Sequence, residues 1–282
     1  MSVPPVSMVE RMTRVLDAFD PARPRLTLQE LSDRTGLPRS TTHRIVEQLV
    51  GLRWLEHGGQ SYALGMRALE LGGLAVAHHA LRDVATPLLL DLHQRTGAVA
   101  SLAVLDRRDI VFVDRHGNGL SSDAVTRVGG RAPAHATAAG KAVLAGQGKA
   151  DLGYRDRLPT RTPRTITTLD VLQQELASVR ARGGVAFECE ELVQGSAAVA
   201  VALRGGGRPP AALQLSVDSR SGRLERLAPH LQEAARKASH ALHPGSGPRR
   251  RSRTVDRAPA PSPWPPGALD RLVRGIGGDY WL

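Results

Sequence analysis

Between Gly36 and Arg44 the chain reads GLPRSTTHR, and six of these nine side chains can hydrogen-bond. Short hydroxyls at Ser40, Thr41 and Thr42 allow close approach to a phosphate or a base edge, and Arg39 and Arg44 can reach phosphate oxygens or a guanine edge. Other reactive residue types fall in less productive spacings. His135 lies near Thr137 and Lys141, but no nucleophile, base and acid spacing accompanies it, so a structural hydrogen bond is expected rather than catalysis. Cys189 stands between Glu188 and Glu190, whose charges disfavour a thiolate. His78 and His79 are adjacent and cannot face one way on a helix, so a shared metal ion is not expected. Gly117-Asn118-Gly119 lacks the rest of a dinucleotide fingerprint and reads as a turn. No catalytic residue, metal ligand or cofactor is expected.

The polar run must be positioned by the elements around it. Val9, Met12, Leu16 and Phe19 recur at helical spacing, and Asp20-Pro21 with Pro24 ends that helix. Thr27 followed three residues later by Glu30 is a capping-box pair, and Leu28, Leu31 and Leu37 give the next helix and turn an apolar side. Gly36 supplies a left-handed exit, and Pro38 can open the following helix. In that helix Thr42, Ile45, Val46 and Leu49 share one face, which leaves Ser40, Arg44 and Glu47 on the other. WLEHGGQSYAL then reads as strand, glycine turn, strand, a small wing. From Gly65 to about His79 an apolar helical pattern (Met66, Leu69, Leu71, Leu74, Ala75) predicts a linker helix that packs on another subunit.

From about Ala80 to His243, strands and helices interleave without a regular βαβ period, which predicts an α+β sheet with helices packed on it. AVASLAVLD and DIVFVDRH flank Arg107-Arg108 as a hairpin, and Ala197–Leu203 and Ala211–Val217 flank the glycine- and proline-rich loop Arg204–Pro210. Helical patterns lie at His135–Ala145, Leu169–Arg182 and Leu224–Leu242. Beyond Pro244, GSGPRRRSRT and PAPSPWPP cannot bury enough apolar surface to fold. This predicts a mostly disordered tail whose arginines can add salt-sensitive attraction to phosphate. A last short pattern, Leu269, Leu272, Val273 and Ile276 before Tyr280 and Trp281, has no evident docking partner.

With 282 residues, 41% apolar and 23% charged, the chain has room for two domains, each with its own core. Its net charge of +11 favours an acidic partner, nucleic acid first, although arginine is scattered along the whole chain and residues 1–65 are close to neutral. One cysteine excludes an internal disulfide, no secretory signal opens the chain, and no apolar run of about 18 residues appears, so a cytoplasmic location and no membrane partner are expected.

TLQELSDRTGLPRSTTHRIVEQLVGLRWLEHGGQSYALG resembles the winged helix-turn-helix of the IclR family of bacterial transcriptional regulators. RAPAHATAAGKAVLA (Arg131–Ala145) and LQQELASVRARGGVAFECEELVQGSAAVAVAL (Leu172–Leu203) resemble that family's effector-binding domain. The likeness covers about Ser7 to Leu242. It implies a winged helix-turn-helix over 1–64, a dimerising linker helix over 65–80, a GAF-like antiparallel sheet flanked by helices over 81–244, and a Pro/Arg-rich tail over 245–282. It also implies homodimers or dimers of dimers on partly palindromic double-stranded operators, modulated by small organic molecules, often carboxylic acids, with most members repressing.

The candidate DNA contacts are Thr27, Arg39, Ser40, Thr41, His43, Arg44 and Arg53, with Thr42 left out as inward-facing. Carried over from the family, the effector positions are Ala132, Ala134, Ala138, Ala139, Glu188, Ala198, Gln214 and Ser216. Three depart from the family's habit: Ala134 stands for a bulkier apolar residue, Ala198 for a frequent cysteine, and Gln214 for a frequent serine. These changes imply a pocket of altered shape for a ligand larger than a two- or three-carbon acid. A carboxylate there would be held by free N–H groups at a helix start. The rival reading is a small-molecule-binding enzyme or signalling module whose helical N-terminal domain does not use DNA.

Overall fold

The computed structural model describes residues 7–77, 80–147, 157–204, 209–221 and 224–242. His78, His79, the middle of the Arg204–Pro210 loop and the expected tail fall outside them.

The first helix, α1 (Met8–Asp17), is capped by Ser7, whose side chain accepts from the Glu10 N–H. Its buried residue is Val15; Val9 is 74% exposed, so the inward face is turned relative to the expected one and Met12 and Leu16 only flank the core. Strand β1 (Arg25–Thr27) leads into α2 (Leu28–Thr35). The Thr27–Glu30 capping box is complete, and Gly36 ends the helix at φ 67°. A backbone at that φ favours glycine because a Cβ would crowd the following carbonyl. The next helix, α3 (Arg39–Gly51), buries Thr42, Ile45, Val46 and Leu49, the face read from the sequence. Strands β2 (Leu55–Gly58) and β3 (Ser61–Leu64) form the wing. The three-residue β1 joins it in the order β1-β3-β2, a strand too short to show any periodicity in the sequence. The wing and three helices close over Leu26, Leu31, Ile45, Leu49 and Leu55.

Helix α4 (Met66–Ala77) follows. Met66, Leu69, Leu71 and Leu74 on it are exposed. Helix α5 (Ala80–Thr96) was not among the expected helices; Pro87 lies inside it, yet Leu81, Ala85, Leu89 and Leu92 keep helical spacing and are buried.

The remaining strands are β4 (Val99–Asp106), β5 (Asp109–His116), β6 (Arg131–Pro133), β7 (Val185–Cys189), β8 (Ser196–Ala202) and β9 (Ala211–Asp218). They form a six-stranded sheet in the order β6-β5-β4-β9-β8-β7, with every neighbouring pair antiparallel. Helices α5 and α9 (Leu224–Leu242) cover one face. The other is covered by α7 (Ala138–Gly146) and α8 (Leu169–Ala181), with the short α6 (Asp123–Thr126) at one side. This is the α+β arrangement expected from the interleaved pattern. The helical pattern at His135–Ala145 resolves into a 3-10 turn, Ala134–Ala136, and α7, separated by extended Thr137.

Every residue of α7 from Ala138 to Ala145 is buried. Small side chains allow this close packing: a Cβ on Gly140 would lie 2.0 Å from the Ala134 carbonyl oxygen. Strand β5 contains one irregularity. Leu102 pairs with Asp114 and Ala103 with Phe112, so Val113 is an extra, bulged residue.

Candidate DNA surface and effector site

The first turn of α3 presents Arg39, Ser40, His43 and Arg44 to solvent, with Thr41 half-buried. Pro38 precedes it without a side-chain cap, and no acidic residue stands in that turn. In α1, α2 and α7, by contrast, Ser7, Thr27 and Thr137 accept from the N–H groups of the first turn. The α3 N-terminus thus keeps its backbone donors and the positive end of its dipole for an anion, which in a duplex is phosphate. Arg44 has no polar partner among the described residues. Arg39 donates to Gln29 Oε1 at 2.6 Å, and exposed His43 lies 3.7 Å from Glu47. The other two candidates sit apart. The Thr27 hydroxyl is taken up by the capping box, and Arg53 lies beyond the far end of α3, about 20 Å along the axis, bonded to Glu70 at 3.0 Å.

The eight effector positions are all buried. Ala132, Ala134, Ala138, Ala139 and Ala198 belong to the core between α7 and the sheet. Strand alternation places Glu188, Gln214 and Ser216 on the same sheet face, because Ala186, Ala198 and Ala212 face that core. Ala198 pairs with both Glu188 and Ser216, so these three form one row across β7, β8 and β9.

The Ala139 and Gly140 N–H groups at the start of α7 are taken. Gln214 Oε1 accepts from the Ala139 N–H at 3.0 Å, and Thr137 Oγ1 accepts from the Gly140 N–H at 2.9 Å. The Gln214 amide also donates to Ser216 Oγ at 3.0 Å. A carboxylate that takes the Ala139 N–H must therefore displace the Gln214 side chain.

Glu188 Oε1 accepts from the Glu191 N–H at 2.6 Å and the Leu192 N–H at 3.1 Å. Burial, aided by the Glu191 charge, raises its pKa to about 7 against the pull of those two N–H groups. Buried Lys141 pairs with Glu191 at 2.6 Å, and Glu191 is itself shifted upward by burial. The polar patch thus contains a carboxyl group that gains or loses its proton near neutrality. His135 bonds the Pro159 carbonyl through Nε2 at 3.0 Å, and burial lowers its pKa, in keeping with a structural role. Among the described residues no cluster of three or more His, Cys, Asp or Glu side chains is arranged to hold a metal ion.

Two further polar groups share this face and had no signal in the sequence. Ser101 on β4 pairs with Gln214 on one side and Arg115 on the other. Arg115 is tied to Asp123 of α6, and its side chain is 12% exposed. Strand alternation alone would place Arg115 with Phe112 on opposite faces; the Val113 bulge restores them to one.

Two family models match the chain: "IclR helix-turn-helix domain" over residues 8–59 and "Bacterial transcriptional regulator IclR C-terminal" over residues 73–242. The chain is similar to the HTH-type transcriptional regulator XynR of Escherichia coli (strain K12), 34% identical over 251 residues that cover 85% of this chain and 98% of that protein. It is similar to the transcriptional repressor IclR of the same organism, at 28% identity over 226 residues, 76% of this chain and 82% of that protein. Among solved structures it resembles an IclR homolog from Microbacterium hydrocarbonoxydans complexed with 4-hydroxybenzoate, with a TM-score of 0.71, 30% identity, and coverage of 85% of this chain and 100% of that one.

Proposed function

Because the chain belongs to the IclR family of bacterial transcriptional regulators, with that family's helix-turn-helix and effector-binding domains, we propose that it is a repressor whose operator affinity is set by a small organic acid. The family consists of regulators of transcription, not enzymes. The observation that carries the reading is the first turn of α3, with exposed Arg39, Ser40, His43 and Arg44, no acid and no side-chain cap. In a duplex that turn enters the major groove, its N–H groups and Arg39 on phosphate and Arg44 on a base edge. Ser40 and Thr41 make the close contacts; Thr27, its N–H and hydroxyl held by Glu30, acts by capping α2, and Arg53 meets the DNA backbone apart from them.

The repressor relative and the 4-hydroxybenzoate complex support the sign of regulation and the acid effector. The acid lies beneath α7 among Ala132, Ala134, Ala138, Ala139, Glu188, Ala198, Gln214 and Ser216. The exposed apolar side chains of α4 support a homodimer, or a dimer of dimers, on a partly palindromic operator. We set the domain borders at residues 64, 80 and 244. The location is cytoplasmic, where the DNA is; no described helix is long and apolar enough to cross a membrane. Effector binding favours one arrangement of the C-terminal domains, and the α4 helices convert it into a spacing between recognition helices. The effector shifts operator affinity only by its differential binding to the two arrangements.

The test is a footprint on the DNA upstream of the gene, followed by titration with Arg44→Ala. Losing one base-reading arginine weakens specific binding by about 1–3 kcal/mol, some 5- to 150-fold, with acid binding unchanged. Unaltered DNA affinity in Arg44→Ala and in Arg39→Ala would overturn the DNA-reading assignment.

A further inference from the structure

We propose that the polar patch beneath α7 has a second end, built by Ser101 and Arg115, that takes a second oxygen acceptor, so that the effector is a two-ended acid, a dicarboxylic acid, rather than a monocarboxylic one. The inference rests on the acid-effector reading above. Gln214, Ser101 and Arg115 are direct neighbours in register across β9, β4 and β5, and register partners in antiparallel strands share a face. Ser101 is 1% exposed, and its hydroxyl has no hydrogen-bond partner among the described residues. Arg115 bonds Asp123 through Nη2, while its buried Nε–H has none.

Buried donors of this kind carry the full cost of lost hydration unless something accepts from them. Here two such donors lie side by side on the face that holds the helix start. One strand spacing separates Ser101 from Gln214 and two separate Arg115 from it, about 5 and 10 Å. An acid whose first carboxylate replaces the Gln214 oxygen at the Ala139 N–H would bring a second oxygen to Ser101 and Arg115 if its ends lie about 5 to 10 Å apart, the reach of a six-carbon chain or a para-substituted ring. The arginine fork suits a carboxylate better than a hydroxyl, because a charged acceptor strengthens each bond and leaves Arg115 shared between Asp123 and the ligand.

Isothermal titration of the full chain with two matched pairs, terephthalate against benzoate and adipate against hexanoate, tests the proposal in wild type, Ser101→Ala and Arg115→Lys. Ser101→Ala removes only an unpartnered hydroxyl, and its melting temperature is expected at or above that of wild type. Arg115→Lys keeps a cation for Asp123 but has no Nε–H. The expected result is a preference of tenfold or more for the two-ended member of at least one pair in wild type. Either variant should cut that preference at least fivefold and leave the one-ended member within twofold. Equal affinity for both members in wild type, or a preference that survives both variants, overturns the second end while leaving the acid-effector reading intact. Absence of binding by all four acids overturns both.

Discussion

In the proposed effector site Gln214 fills the place of the carboxylate, and replacing it with serine gives the sharpest test of that proposal. Binding at the Ala139 N–H must break two buried hydrogen bonds, from Ala139 to Oε1 and from the amide to Ser216, each 3.0 Å long. A neutral bond of this kind is worth about 0.5–1.5 kcal/mol net, so their loss opposes ligand binding by about 1–3 kcal/mol, a factor of about 5 to 150 in Kd. Serine is two carbons shorter and leaves the Ala139 donor open. Gln214→Ser should therefore bind a compact monocarboxylate such as benzoate about tenfold or more tightly by calorimetry. Without ligand the same change leaves a cavity and an unpaired donor, so its melting temperature should fall, and saturating benzoate should restore part of the loss by mass action. A variant that melts lower yet binds benzoate no better than wild type would refute the reasoning: Gln214 would then serve packing alone, and the acid would not use the Ala139 N–H.

Further outcomes follow from the same geometry. Glu188 has a folded pKa near 7 against an ordinary 4.5, so its contribution to stability is fully present below pH 4.5 and is lost as pH rises through about 7, a cost on the order of 3 kcal/mol. Glu188→Gln keeps an acceptor for the Glu191 and Leu192 N–H groups and should be more stable than wild type at pH 8 in urea titrations, with little difference at pH 5. A steeper loss of stability at pH 8 in the variant would contradict the buried-carboxyl account. Acid binding to wild type should strengthen from pH 8 to 6 as Glu188 takes up its proton, and Glu188→Gln should flatten that profile. Gly140→Ala forces a Cβ onto the Ala134 carbonyl and should cost about 1–3 kcal/mol, read as a lower melting temperature of the effector domain; a neutral result would mean that α7 is free to shift away from the turn. Gly36→Ala places a side chain at φ 67° and should cost about 1–2 kcal/mol, together with weaker operator binding, because the turn it serves aims α3.

Local chemistry made the helix-turn-helix readable. The Thr27–Glu30 box, the Gly36 exit and the inward set Thr42, Ile45, Val46 and Leu49 each depend on residues a few positions apart, and each appears as read. Strand β1 was missed because three residues carry no periodicity, and α5 because Pro87 interrupts an otherwise apolar pattern. The face of α1 was misjudged because Val9 and Val15 offer competing stripes, and packing on α2 and α3 selects the one with Val15. In the effector site, the family likeness located residues on one sheet face, but the state of each depends on contacts remote in sequence. Gln214 meets Ala139 across 75 positions, and its bulk alone does not say whether it enlarges or fills the site. Arg115 carried no signal, because its facing is decided by pairing with Ser101 past a bulge that no local pattern marks.

The Val113 bulge therefore decides the electrical character of the protein's interior. Asp114 now points toward α5, where Thr86 donates to its carboxylate, while Arg115 points toward α7. Side chains alternate along a strand, so a strand that kept Val113 without the bulge would exchange them, bringing a carboxylate to the α7 face and sending the guanidinium to the other. The sign of the charge beneath α7 thus hangs on a one-residue slip of register in a neighbouring strand, with the amino-acid sequence unchanged.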